Sequence, residues 1–191
     1  MVNHYIGLGG GGSNILISLE ELNPCGTYTM ISDPFRGNLA KRIDFVHFIK
    51  PLHKPKIRAF PNDVEDLPLY QNLQMPMELI KRIDKNQNII LISCLGGYTG
   101  TIFLDFLIQF LAGNKYRFSV HCGWPLKFEG PARLNSAVKF RLKHLPSLKV
   151  THYKSIIDES YQDWEKSSTI GDFLKEMNVQ IANSIINKHE Q

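Results

Sequence analysis

Short apolar runs alternate with segments of helical periodicity along most of the chain. Strands are predicted at Val2–Ile6, Tyr28–Ser32, Phe45–Ile49, Asn88–Cys94, Phe118–Cys122 and Leu148–Thr151. Helices are predicted at Ile15–Leu22, Met75–Asp84, Thr101–Ala112, Pro131–His144 and Thr169–His189. Because a strand followed by a helix recurs, this order predicts a three-layer α/β fold, a Rossmann-like parallel sheet with helices on both faces.

The closing helix carries clear local signals. Thr169 and Asp172 are placed as a capping box at its start. Its main apolar stripe, at helical spacing, consists of Ile170, Leu174, Met177, Ile181 and Ile185. A second stripe, roughly opposite, consists of Val179, Ala182 and Ile186. We expect this second stripe to be covered by a partner or a second copy, or else by the chain's own Tyr161–Trp164 segment.

Two glycine-rich segments occupy predicted strand-to-helix turns. Gly7–Asn14 follows the first strand, and Gly96–Thr101 follows the strand Asn88–Cys94. Turns of this kind bring backbone amides and the positive end of a helix against phosphate oxygens. Two of them in one sheet predict two walls of one polyphosphate site. A tight turn without a ligand is the weaker interpretation, because consecutive glycines cost chain entropy and the sequence indicates no packing gain.

A third segment, Pro125–Arg133, also links a predicted strand to a helix. The Glu129 carboxylate can accept hydrogen bonds from ribose hydroxyls, and Arg133, one helical turn later, can neutralise phosphate. The alternative is a first-turn glutamate that favours the helix dipole and an arginine on the surface. Taken alone, the segment does not separate the two.

Composition bounds the class of protein. The 191 residues suit one domain, and the formal net charge is +4. Basic residues are partly clustered, at Lys50, Lys54, Lys56 and Arg58 and at Arg133, Lys139, Arg141 and Lys143. Without a longer stripe and interleaved aromatics, this indicates a solvated face and no nucleic-acid site.

The cysteines and histidines indicate neither a disulfide framework nor a metal site. Cys25, Cys94 and Cys122 are widely spaced, which fits a reducing cytoplasm. His4 and His121 have no second ligand at metal spacing, so core or surface roles are favoured. The start of the chain does not resemble a signal peptide, and no apolar stretch suits a transmembrane segment. We expect a cytoplasmic protein.

Taken together, the three segments resemble the nucleotide-binding half of the tubulin/FtsZ GTPase family, and FtsZ most closely. Gly7–Asn14 is similar to the first phosphate loop of that family, and Gly96–Thr101 to its glycine-threonine signature. Pro125–Arg133 is similar to the family's P-F-x-F-E-G-x-x-R segment. Ile31–Asp33 and Ser168–Ile181 extend the resemblance over nearly the whole chain.

The resemblance implies a single nucleotide-binding domain over residues 1–191 that binds GTP or GDP, with magnesium held through the nucleotide. It implies phosphate contacts from the two glycine segments, ribose contacts near Glu129 and Arg133, and a base contact from Asn178. The nucleotide-binding residues implied are Gly9, Gly10, Gly11, Gly12, Ser13, Asn14, Asp33, Gly96, Gly97, Tyr98, Thr99, Gly100, Thr101, Glu129, Arg133 and Asn178.

The sequence also departs from the family pattern. Tyr98 and Ile102 replace signature glycines, and Tyr153 stands where the family has a base-reading asparagine. Pro61–Leu69 does not match the loop that senses the γ-phosphate. The family's water-activating acidic loop and second domain have no counterpart here. We therefore expect no catalytic residue and weak or no hydrolysis by the chain alone, in a cytoskeletal or assembly role with copies of itself or a full-length relative.

Two other functions stay open. One is a non-catalytic interaction or regulatory protein whose nucleotide site has decayed, as Tyr98 and Tyr153 suggest. The other is an NAD(P)-binding oxidoreductase, because Gly7, Gly9 and Gly12 satisfy G-x-G-x-x-G and Asp33 follows at nearly the spacing of about 20 residues expected for a ribose-binding acid. That second alternative gives Gly96–Thr101 no role.

Overall fold

The computed structural model describes residues 2–22, 25–32, 43–47, 77–126, 129–144, 150–153 and 169–189. Its strands are β1 (Asn3–Leu8), β2 (Thr27–Ser32), β3 (Ile43–His47), β4 (Asn88–Cys94), β5 (Phe118–Gly123) and β6 (Val150–Tyr153). The helices in these ranges are α1 (Gly9–Leu22), α2 (Met77–Arg82), α3 (Tyr98–Gly113), α4 (Pro131–His144) and α5 (Ile170–His189).

All six strands form one parallel sheet in the order β3-β2-β1-β4-β5-β6. In the register of the central strands, Ile6 lies between Thr29 of β2 and Leu91 of β4. The predicted parallel α/β fold is confirmed. The strand order reverses between β1 and β4, and ligands of such sheets bind at this switch point, beyond the carboxyl ends of the strands.

Two apolar cores, one on each face of the sheet, hold the helices in place. On the first face, α2, α3 and α4 pack against alternate strand residues such as Ile6, Leu91 and Val120. On the second face, α1 and α5 pack against the intervening residues, such as Tyr5 and Ile90. The alternation follows from the two-residue period of a strand, which sends neighbouring side chains to opposite faces.

The predicted bounds agree with the structure for β4 and α4 and differ at the glycine segments. The helix predicted to begin at Ile15 begins at Gly9, so the glycines form its first turn. The helix predicted to begin at Thr101 begins at Tyr98. Glycine is a poor helix former, and close packing against the sheet, described below, overrides that propensity here. The irregular stretch predicted at Pro51–Pro68 lies outside the described residues.

The capping box of α5 is present. The Asp172 backbone N–H donates to Thr169 Oγ1 at 3.2 Å, and the Thr169 backbone N–H donates to the Asp172 carboxylate at 3.3 Å. The Thr169 hydroxyl also donates to the Asp172 carboxylate, at 2.6 Å, and this bond, together with the one from the Thr169 N–H, lowers the pKa of Asp172 below its usual range. The second stripe of α5 is partly covered within the chain, since Ala182 is fully buried and Ile186 packs against the core shared with α1. The Tyr161–Trp164 segment lies outside the described residues.

Candidate functional site

The helices α1 and α3 begin on opposite sides of the end of β4. Ser93 and Cys94, the last two residues of β4, point to opposite faces of the sheet. A Cβ atom added to Gly100 of α3 would lie 2.7 Å from Ser93 Oγ, and one added to Gly11 of α1 would lie 2.5 Å from Cys94 Sγ. The two glycine segments are therefore brought together around one strand end, as the sequence predicted.

The two helix starts also touch each other directly. Gly9 has a positive φ of 68°, and a Cβ there would lie 2.7 Å from the backbone nitrogen of Gly100. A Cβ on Gly12 would lie 2.4 Å from the carbonyl oxygen of Ile92. Side chains would be excluded at these positions even without a ligand. The expectation that the glycines bring no packing gain is thus wrong, because the gain comes from strands distant in sequence.

Gly97 is different from its neighbours. Its backbone is extended (φ −80°, ψ 138°), and an added Cβ would meet only the Cys94 carbonyl oxygen, at 3.7 Å. It is the N-cap residue of α3, and no side chain caps this helix. The first amides of a helix lack intrahelical acceptors, so those of Tyr98, Thr99 and Gly100 are oriented for an external anion.

Exposed glycine surface and unpaired hydroxyls occur at the starts of the same two helices. Gly10 is exposed, and Gly11 and Thr99 are partly exposed. Ser13 Oγ and Thr101 Oγ1 are buried and have no hydrogen-bond partner among the described residues. Such buried hydroxyls usually find a partner, so these two orphans and the uncapped amides fit a site for phosphate oxygens.

Glu129 and Arg133 pair with each other. One carboxylate oxygen of Glu129 accepts a hydrogen bond from the Arg133 guanidinium. The other accepts a hydrogen bond from the Leu126 backbone N–H at 2.8 Å. The start of α4 approaches α3 closely here, since Gly96 (φ 81°) would place a Cβ 2.7 Å from the Arg133 carbonyl oxygen. Both residues therefore lie beside the second glycine segment, but their charges already balance one another.

Cys94 is an uncharged residue that lies between the start of α1 and the Glu129–Arg133 pair. Desolvation by the surrounding protein raises the pKa of its thiol to about 12, and the Glu129 carboxylate adds to that effect. A neutral thiol does not repel an anion. Ser93, Cys94 and Gly123 were not predicted from the sequence to belong here. A Cβ added to Gly123 would lie 2.8 Å from Cys94 Sγ. The available signal was their place at the ends of two apolar strands.

The remaining predicted residues are less closely tied to this site. Asn178 is 8% exposed, lies on the face of α5 that packs on α1, and makes no side-chain hydrogen bond with another described residue. Asn14, on α1, is partly buried. Asp33 and the side chains of Tyr98 and Tyr153 lie outside the described part of the structure.

The described residues include neither a group of metal ligands nor a helix suited to a bilayer. They contain no group of three His, Cys, Asp or Glu side chains placed to hold a metal ion. None of the helices in these ranges combines the length and the apolar character needed to cross a bilayer.

Comparison with known proteins places the fold. No protein-family model matches the sequence, and no curated protein matches it. Among solved structures, the FtsZ dimer of M. jannaschii is similar with a TM-score of 0.66 and 16% identity, over 96% of this chain and 53% of that one. The PhuZ201 filament gives a TM-score of 0.62 and 16% identity, over 98% of this chain and 55% of that one.

TubZ of the Clostridium botulinum phage c-st, without its C-terminal tail, gives a TM-score of 0.58 and 15% identity, over 97% of this chain and 60% of that one. The chain thus spans between half and two thirds of the length of these structures. At such low identity the likeness concerns the fold. The chain therefore has the tubulin/FtsZ-like fold, over almost its entire length.

Proposed function

We propose that this chain binds a guanine nucleotide, GTP or GDP with magnesium, at the carboxyl ends of β1 and β4. The observation that carries the proposal is that the starts of α1 and α3 meet at the point where the strand order reverses, and that α3 has no side-chain cap. Amides at two helix starts provide the positive potential that a polyphosphate needs.

The phosphates would be held by Gly9–Asn14 of α1 and by Gly96–Thr101 before and within α3. The exposed Gly10, the uncapped amides after Gly97 and the Thr101 hydroxyl support this assignment. Magnesium would be bound through the phosphates, as it usually is in nucleotide sites. Glu129 and Arg133 would lie near the ribose. On binding, some of the hydrogen bonding between these two side chains would be replaced by hydrogen bonds to the nucleotide.

Base and ribose recognition would come from Asn178 and Asp33, together with Tyr98 and Tyr153 where the family has other residues. Asn178 supports this role through its nearly buried amide without a hydrogen-bond partner among the described residues. Since the family's acidic loop has no counterpart in these 191 residues, we propose that they hydrolyse GTP weakly or not at all by themselves. Nucleotide hydrolysis depends mostly on positioning and charge stabilisation, so binding does not require that loop.

Gly97 offers a sharp test of phosphate binding. Gly97→Asp and Gly97→Asn differ by one charge, both suit an N-cap, and the backbone at Gly97 accepts either side chain. We expect both variants to fold with wild-type stability or slightly better. GTP and GDP should bind at least about tenfold more weakly to the Asp variant than to the Asn variant, because the carboxylate repels phosphate. Titration calorimetry of nucleotide-free protein with magnesium measures this.

The same titration with ATP and NAD tests base selectivity and the oxidoreductase alternative. Equal affinities of the Asp and Asn variants for GTP would contradict phosphate binding at the start of α3. Preference for NAD over GTP would contradict the proposed guanine nucleotide. Rapid hydrolysis of GTP by this chain, with no other protein added, would contradict the proposed weak hydrolysis.

A non-catalytic interaction protein is the second candidate, and two observations favour it. The close packing of Gly9, Gly12 and Gly100 explains these glycines without a ligand, and Glu129 and Arg133 satisfy each other. Absence of binding to any of the four nucleotides would select this candidate. In either case we propose an assembly role with copies of this chain or a longer relative, which the dimeric and filamentous forms of the similar structures support.

A further inference from the structure

Asn178 is a polar side chain on the buried apolar side of α5. The residues one and two helical turns further along, Ala182 and Ile185, are fully buried in the core shared with α1. Asn178 itself is 8% exposed, and its amide forms no hydrogen bond with another described residue. A nearly buried amide without a partner is unfavourable, so hydrogen bonds to a ligand at this position would be favourable.

Helix geometry places Asn178 at the carboxyl edge of the sheet. At the other end of α5, His189 contacts Asn88, the first residue of β4. Asn178 precedes His189 by 11 positions, which correspond to about 16 Å of helix. The seven residues of β4 span about 20 Å. Asn178 therefore lies near the level at which β4 ends, on the side of α5 that packs on α1 and at the same sheet edge as the glycine segments.

The amide group restricts which edge of a base it can pair with. An asparagine side chain has a carbonyl oxygen that accepts hydrogen bonds and an NH₂ group that donates them. Side by side, these groups match a base edge that has one donor next to one acceptor. In guanine and in hypoxanthine this edge consists of N1–H and O6, and the 2-amino group of guanine lies outside it. Adenine has the donor and the acceptor in reverse order, so an amide oriented for N1–H and O6 does not match it.

We propose that Asn178 pairs with the N1–H and O6 edge of a purine base and does not contact the 2-amino group. The site then takes 6-oxopurine nucleotides as a class, so that inosine triphosphate (ITP) binds as GTP does. This inference rests on the proposed nucleotide binding, and it adds which atoms of the base are recognised. A carboxylate at the same position would behave differently, because it only accepts and would match the N1–H and the 2-amino group of guanine together.

Calorimetric titration of the nucleotide-free 191-residue chain with GTP, ITP and ATP, each with magnesium, tests the inference. We expect the wild type to bind GTP and ITP with affinities within about threefold of each other, and ATP more weakly. Asn178→Asp should bind GTP at least about tenfold more tightly than ITP, because the carboxylate gains a donor that inosine lacks. The wild-type comparison does not depend on how well the variant folds.

Asn183→Asp is the matched control, because Asn183 is an exposed residue of the same helix. It should keep the wild-type ratio of the GTP and ITP affinities, and thermal melts should show that both variants fold. A wild-type preference for GTP over ITP of about tenfold or more would overturn the inference, and so would an unchanged ratio in folded Asn178→Asp.

The remaining outcomes separate this inference from the proposed function. Strong rejection of ITP together with tight GTP binding would overturn the inference and leave the proposed guanine-nucleotide binding intact. ATP binding as tight as GTP binding would overturn the restriction to 6-oxopurines. Absence of binding to all three nucleotides would overturn the proposed function as well.

Discussion

The two edges of the sheet handle polar groups in opposite ways. At the carboxyl edge, Gly9 of α1 packs against the backbone of Gly100 in α3, Gly12 packs against the backbone of β4, and the start of α3 has no side-chain cap. Toward the amino edge, polar side chains of β1, β4 and β5 bond to one another and to the end of α5. One edge leaves backbone donors unpaired, whereas the other uses its polar groups internally.

The polar groups near the amino edge form a cluster of five side chains, the amino-side cluster: Asn3, Asn88, Ser119, His121 and His189. The Nε2 atoms of His121 and His189 lie 2.9 Å apart, and Ser119 Oγ lies 3.3 Å and 3.2 Å from them. Asn88 bonds to Asn3 at 3.1 Å and contacts His189 at 3.4 Å. One histidine Nε2 must carry a hydrogen and the other must not, so at least the ring that accepts is neutral.

The difference shows that the two edges of one sheet can satisfy their polar groups in different ways. The amino-side cluster fixes the end of α5 with side chains that satisfy one another, which leaves little for a ligand. The carboxyl edge reaches close packing with glycines, which bring no polar side chain to satisfy the helix amides. Four perturbations, from the largest expected effect to the smallest, test this contrast.

Gly12→Ala should have the largest effect. The new Cβ would lie 2.4 Å from the Ile92 carbonyl oxygen and 3.0 Å from Ser93 Cα, and both are backbone atoms that cannot rotate away. We expect a loss of about 3 kcal/mol or more in the free energy of unfolding, or failure to fold, without any nucleotide present. Urea unfolding of nucleotide-free protein measures this.

Gly113→Ala is the matched control for that experiment. Nothing lies within 4 Å of a Cβ at Gly113, at the end of α3, so we expect a change within about 1 kcal/mol, in the stabilising direction. If Gly12→Ala were as stable as the wild type and lost only nucleotide binding, the packing explanation of the carboxyl edge would be wrong.

Asp105→Ala tests a buried carboxylate whose contacts join α3 to α4. Asp105 Oδ1 contacts His144 Nε2 at 2.5 Å, and Asp105 Oδ2 accepts from Lys143 Nζ at 3.0 Å. Burial alone would raise the pKa of Asp105, but hydrogen bonds from His144 and Lys143 hold it below its usual value. Removing the carboxylate should cost about 3 kcal/mol, because it removes the buried contact between Asp105 and the His144 ring.

Lys143→Ala is the control on the same carboxylate. The Lys143 side chain is 56% exposed, and exposed partners contribute little, so a loss below about 1 kcal/mol is expected. Denaturant unfolding at neutral pH compares the two variants. Equal losses would show that the charge of Lys143, and not the buried histidine contact, dominates this junction.

Lowering the pH should weaken the amino-side cluster. Burial, together with the nearby His189 and Lys188, lowers the pKa of His121 to about 3, against about 6.5 in an unfolded chain. Between these values the unfolded chain binds a proton that the folded chain does not. The contribution is therefore complete above pH 6.5 and is lost as the pH falls. From pH 7 to pH 5 we expect a loss of roughly 2 kcal/mol from this group.

His121→Gln should reduce this pH dependence, since glutamine does not titrate. His189, whose pKa burial also lowers, is more exposed, so His189→Gln should reduce the slope less. Urea unfolding at a series of pH values measures both slopes. An unchanged slope in His121→Gln would show that other groups cause the acid sensitivity.

Thr169→Ala should have the smallest effect. It removes the hydroxyl that accepts the Asp172 backbone N–H at the start of α5. Loss of an N-cap in a domain of this size is expected to lower the Tm by about 2–4 °C. Thr169→Ser keeps the hydroxyl and should melt close to the wild type. If Thr169→Ala lowered the Tm as much as Asp105→Ala does, Thr169 would have a role beyond the cap.

Sequence patterns predicted the elements well where a single period dominates. The bounds of β4 and α4 match because one is a continuous apolar run and the other begins with proline after a turn. The starts of α1 and α3 were placed too late, because local propensity disfavours glycine in a helix. The two glycine segments were correctly predicted to meet at one sheet edge, while the neighbouring Ser93 and Cys94 were missed.

By itself, the sequence determined the order of strands and helices, the parallel sheet and the place of the glycine segments, because these depend on periodicity and turn chemistry over short distances. Only the tertiary structure decided why the glycines are needed, since their neighbours Ile92 and Cys94 belong to a strand far along the chain. It also joined His121 to His189, 68 positions apart. Contacts between distant segments depend on how the layers pack, so a local sequence pattern does not predict which distant residues will meet.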